Sequence, residues 1–184
     1  MKIQLTGHEK DNFIFFPVPE KHVEKVRIAI NTAKNIINAC KQCTQQGSGK
    51  LGLHKAFENL NHKSCGRIRH TQKTLDQLLE DVWVSWVDYD SRFGFSYPCM
   101  SADEIAFAPL GVQQTHLHMA GTIIHELAHL SSADTDPNSH QAEWVLSQCC
   151  KLESVYNPLI LGQASSPPAE IIFQQCRQSG MLRV

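Results

Sequence analysis

Thr122-Ile-Ile-His-Glu-Leu-Ala-His-Leu130 decides how this chain is read. On an α-helix, residues four apart differ by about 40° around the axis and about 6 Å along it, so His125 and His129 can both reach one metal ion. Glu126 stands about 100° further round. It is badly placed as a ligand and well placed to touch a water on the open side of the metal. Ile123, Ile124, Leu127, Ala128 and Leu130 are apolar, and no glycine or proline interrupts them, as a buried helix requires. Chance yields the His-Glu-x-x-His pattern roughly 0.03 times in a chain of this length and composition. With acidic and histidine residues just downstream, the stretch reads as a zinc site.

Composition sets the frame. A chain of 184 residues, 42% hydrophobic and 19% charged, is expected to form one globular domain with a core around a cleft. The net charge is −1 and the basic residues are scattered, which excludes the electrostatic footprint of a nucleic-acid binder. No apolar run approaches the roughly 18 residues of a membrane span, and the opening residues to Asp11 lack the apolar core of a secretory signal. The expectation is a soluble monomer without membrane contact, made in the cytoplasm without a classical leader. Seven cysteines cannot all pair within one chain, and reduced thiols are the simpler reading. Cys40-x-x-Cys43 falls inside a helical pattern, so it is not read as a redox motif.

The chain divides into an N-terminal arm (residues 1–19), a domain (20–161) and a C-terminal linker and tail (162–184). Phe13-Ile-Phe-Phe16, closed by prolines, looks like a short strand or extended arm lying on the domain. Val23, Val26, Ile30, Ala33, Ile37 and Cys40 repeat at three and four, which predicts a helix from Glu20 to about Gln46. Gly47 to Gly52 is a loop without the full pattern of a phosphate-binding loop, and a short helix is expected over 53–61. Leu75, Leu78, Leu79, Val82, Trp83, Trp86 and Val87 fit a helix from Thr74 to about Tyr89, with the tryptophans in the core. Residues 90–103 read as an irregular connection, and 104–108 as a strand in which Ile105 and Phe107 alternate with small residues. One helix is expected over Gln113–Leu130. On it, His118 shares the face of His125, either supporting the ligands from behind or standing as a surface histidine. A turn-rich loop over 131–139 and a helix over about 139–151 follow.

Catalytic zinc takes three protein ligands, so a third must come from elsewhere. Asp134, Asp136, His140 and Glu143 are the candidates, although Asp in such a loop also makes turns and Glu143 also suits a solvated helix face. Strand, His-Glu-x-x-His helix and nearby Thr-Asp, in this order, resemble the aspzincin metalloendopeptidases, the deuterolysin and peptidyl-Lys endopeptidase group. In that family an aspartate in a Gly-Thr-x-Asp or Gly-Thr-x-x-Asp segment is the third zinc ligand. Ala133-Asp-Thr-Asp136 occupies that stretch here, with Asp136 seven residues after His129. Similarity also touches Ile105-Ala-Phe-Ala-Pro109, matching the family's edge strand, and the helix from residue 20, and it spans roughly 20–160. Three departures stand out: the motif glycine is replaced, the threonine is displaced, and the expected tyrosine is Ser139, with His140 beside it.

The resemblance implies an α+β fold, a mostly helical zincin-like domain with a small sheet whose edge strand (104–108) precedes the active-site helix. It implies a zinc metalloendopeptidase in which His125, His129 and Asp136 hold Zn2+ and Glu126 is the general base. His140, by its position alone beside the replaced tyrosine, is the candidate to steady the carbonyl oxygen. The partner is a protein or peptide substrate. A leaderless single domain also fits an effector or toxin delivered by a dedicated secretion system, with a matching immunity or inhibitor protein. Two alternatives stay open: a zincin using Glu143 as third ligand, and a zinc-binding interaction protein without turnover.

Overall fold

A computed structural model describes residues 1–10, 13–40, 52–60, 74–88, 94–96, 104–131 and 141–148. The stretch before the first helix packs onto the domain as β1 (Lys2–Ile3) and a hairpin of β2 (His8–Lys10) with β3 (Phe13–Phe15). The three-and-four repeat then winds α1 (Glu20–Cys40), which buries Val26, Ala29, Ile30, Ala33, Ile36, Ile37 and Cys40 along one stripe. α2 (Gly52–Glu58) opens on Gly52 at φ 73°, a left-handed backbone that glycine adopts without steric cost. α3 (Leu75–Asp81) starts at a capping box: the Thr74 hydroxyl accepts from the Gln77 amide, and the Gln77 side chain accepts from the Thr74 N–H.

Helix α3 ends far earlier than the spacing of its apolar residues predicts. Val82 is extended at φ −62°, ψ 132°, and β4 (Trp83–Trp86) follows. The i, i+4 pairs Val82/Trp86 and Trp83/Val87 imitate a helix, but these β-branched and aromatic residues pair with strands distant in sequence, which overrides the local pattern. The tryptophans accordingly leave the deep core. Trp83 is 39% exposed with the Lys2 ammonium 5.3 Å from its ring centre, and Trp86 is half-buried.

β5 (Gly94–Ser96) lies inside the stretch read as irregular, and β6 (Glu104–Phe107) follows it. The main sheet has the order β1-β4-β6-β5, parallel except for β5, which runs antiparallel to β6. The strand over 104–107 is thus confirmed in position but corrected in place: β6 is an inner strand and all four of its residues are buried. β5 holds the edge.

Pro109 does not close the strand; it occupies the first turn of α4 (Pro109–Gln113), where its missing N–H costs nothing. Gln114 and Thr115 are extended and separate α4 from α5 (His116–Leu130), so the expected single helix from Gln113 is two. α5 packs along α1, and α6 (Gln141–Ser147) and β5 both pack on α5. The whole is mixed helix and small sheet, as expected for α+β. Cys40, 1% exposed, is disulfide-bonded, so the reading of reduced thiols fails there; its partner lies outside the described residues. Among the described residues no helix is long and apolar enough to cross a membrane.

Candidate metal centre

Helix α5 is held at both ends by its own sequence. The Thr115 hydroxyl accepts from the His118 amide at its start, and the Ser131 amide donates to the Leu127 and Ala128 carbonyls at its finish. Between them Met119, Ala120, Ile123, Ile124, Leu127 and Ala128 are buried, which fixes the rotation of the helix against α1. The rotation turns His125 and His129 to one side together.

Their Nε2 atoms lie 3.0 Å apart, with ring centres at 4.7 Å and planes at 76°. Two imidazoles bound at about 2.0–2.1 Å to one tetrahedral zinc would hold their nitrogens about 3.3 Å apart. The pair therefore fits as two ligands converging on a single ion. Part of His125 reaches solvent, yet its ring is closely surrounded, and burial pushes its pKa down to about 4. The imidazole is neutral at physiological pH, the form that binds a metal.

Glu126 is 8% exposed on the adjoining face of α5, where β5 crosses the helix. A Cβ on Gly94 would stand 3.2 Å from Glu126 Oε1, 3.3 Å from Glu126 Cγ and 2.6 Å from Thr122 Cγ2. The sequence reading passed over Gly94. Its one signal was a glycine between aromatic residues in Phe93-Gly-Phe95, the kind that marks close backbone approach within a strand.

The remaining candidates divide. Asp134, Asp136 and His140 lie outside the described residues. Glu143 belongs to α6, which packs on α5. Among the described residues no group of three or more His, Cys, Asp or Glu side chains is arranged to hold a metal. Of the two readings of His118, burial rules out the surface one. It is 2% exposed, its Nδ1 lies 3.0 Å from Gln114 Oε1, and burial pushes its pKa down to about 4.

Two other features were not foreseen. The Glu104 carboxylate, 6% exposed, faces His8 Nε2 at 2.8 Å and accepts from the Ser85 hydroxyl. A cleft of 380 Å³ lies between the start of α1 and α4, lined by Pro19, Pro109, Val112 and a His22 ring stacked on Trp86 at 5.6 Å. Lys21 and Gln113 also border it, its surface is mainly apolar, and none of the candidate ligands lines it.

Comparison with protein-family models, with curated proteins and with solved structures finds no match to this chain. The geometry of α5 and β5 therefore carries the functional argument by itself.

Proposed function

We propose that this protein is a zinc-dependent metalloendopeptidase. The observation that carries the reading is the 3.0 Å approach of the His125 and His129 Nε2 atoms, with Glu126 the next residue on the same helix. Zinc bound there supplies a Lewis acid that polarises a carbonyl and makes water acidic near neutral pH. The chain's own groups do the rest. His125 and His129 hold the ion as neutral imidazoles. Glu126 takes a proton from the attacking water and hands one to the leaving amine. Its low exposure keeps solvent from competing for that proton.

Asp136 is the proposed third ligand. It belongs to the segment between Ser131, which closes α5, and α6, which packs on α5, so both ends of that segment are tethered to the site's helix. His140, in the same segment, is the proposed donor to the carbonyl oxygen of a peptide or protein substrate. A second reading keeps the chemistry and replaces the ligand: Glu143 lies on α6 itself.

The test is hydrolysis of a peptide library by the wild-type protein, by the chelated protein with and without added zinc, and by Glu126→Gln. Cleavage that chelation abolishes, zinc restores and Glu126→Gln loses is the expected result. Zinc binding with no cleavage of any peptide would instead favour an interaction protein.

A further inference from the structure

We infer that Gly94 is a positioning residue for the Glu126 carboxylate, an inference that rests on the peptidase reading of Glu126. Backbone conformation does not demand glycine here. Among the described residues the positive-φ glycine is Gly52, so an alanine fits the backbone of residue 94 without strain. A glycine inside a strand gives up backbone entropy on folding and packs nothing in return. What it supplies is space against α5.

The strand and Thr122 are the firm walls around that space. Gly94 is paired with Phe107 on β6, an inner strand that is itself paired with β4. Thr122, the nearest neighbour, is a β-branched residue whose Oγ1 donates to the His118 carbonyl at 3.2 Å, so its methyl cannot swing clear without losing that bond. A methyl on residue 94 would meet the pinned Thr122 Cγ2 most closely, at 2.6 Å. It would also press on Glu126 at both Oε1 and Cγ, at 3.2 and 3.3 Å, so that the Glu126 side chain has to give by a few tenths of an ångström. The bare α-carbon of Gly94 therefore sets where the base's carboxylate rests, against a strand too well paired to yield. Catalytic groups act only when held within about 0.5 Å of their productive position, so even a small displacement of the carboxylate lowers the rate.

The variants are Gly94→Ala, Thr122→Ser and the two combined. Thr122→Ser removes the methyl and keeps the hydroxyl bond to His118. Gly94→Ala is expected to lower kcat at least tenfold with zinc affinity unchanged, since neither histidine is touched, and Thr122→Ser in the same chain is expected to restore most of the loss. Crystal structures of the metal-free proteins give a readout apart from activity: the Glu126 carboxylate is expected to shift in Gly94→Ala and return in the double variant. Wild-type kcat in Gly94→Ala overturns the inference, and so does a slow Gly94→Ala whose carboxylate has not moved. If Gly94→Ala does not fold, Gly94→Val in the roomier Thr122→Ser background is the second variant, and an unmoved carboxylate there overturns the inference equally. A wild-type protein that cleaves nothing sinks the peptidase reading, while the carboxylate positions still decide whether Gly94 places Glu126.

Discussion

His8 Nε2 meets the buried Glu104 carboxylate at 2.8 Å and so joins the N-terminal hairpin to the inner strand of the sheet, across 96 positions of sequence. The His8 ring also stacks on Phe15, with centres 5.3 Å apart, and its Nδ1 faces Gln4 Nε2 at 3.2 Å. On the other side of the carboxylate the fully buried Ser85 donates its hydroxyl. Glu104→Ala strands both donors and should cost about 1–3 kcal/mol, whereas Glu104→Gln keeps an acceptor and should cost less. Urea denaturation of the two variants gives the ranking. Equal stability of Glu104→Ala and wild type would show that the hairpin is held by apolar contacts alone.

Acid should weaken the metal-free protein in a defined window. His118 and His125 are held down to about 4 by burial, against an ordinary 6.5. Between those values the unfolded chain binds protons that the folded one refuses, so stability is full above about pH 6.5 and falls as the pH drops toward 4. His118, 2% exposed, contributes a slope of up to about 1.4 kcal/mol per pH unit. Denaturation of chelated protein at pH 7, 5.5 and 4.5 should trace this decline, and His118→Gln should flatten it. A stability independent of pH over this range contradicts the burial of both rings.

Glu126→Gln should bind zinc as the wild type does while turning over roughly 10²-fold more slowly or worse. Zinc titration and peptide hydrolysis on the same preparation separate the two properties. Loss of the metal in this variant would make Glu126 a ligand rather than a base.

The third ligand is decided by ranking Asp134→Ala, Asp136→Ala and Glu143→Ala in zinc affinity. Asp136→Ala should be weakest, because two imidazoles then hold the ion alone, and Asp134, only five residues beyond His129, has less chain with which to turn back. If Glu143→Ala alone loses zinc, the site belongs to the glutamate-ligand type and the aspzincin resemblance is misleading.

What could be read from the sequence was what depends on near neighbours. His125, Glu126 and His129 are related by a single turn of helix, so spacing alone predicted that the two imidazoles would meet. The alternation of Ile105 and Phe107 likewise marked β6. Its inner position was hidden, because only the pairing with β5 and β4 puts it there. Residues 82–86 satisfied helical and extended patterns equally, and the choice was made by β1 and β6, partners roughly 20 to 80 residues away. β5 is three residues long in a stretch rich in Ser, Gly and Tyr, with no period to detect. Gly94 was missed for that reason, since its meaning lies in Thr122 and Glu126 and not in its own surroundings. The bond between His8 and Glu104 was out of reach for the same cause.

The parallel pairing of β1 with β4, Lys2 beside Trp83 and Ile3 beside Val84, has a consequence in time. It closes a loop of about 80 residues, and such distant contacts form slowly, on the scale of milliseconds or longer. A turn of helix winds in about a microsecond or less. During refolding the two imidazoles of α5 therefore come within reach of each other long before β5 has a finished sheet to lie on. On the zinc reading proposed above, an ion meeting the refolding chain would find the histidine pair before β5 is in place against Glu126, so metal capture would precede catalytic competence.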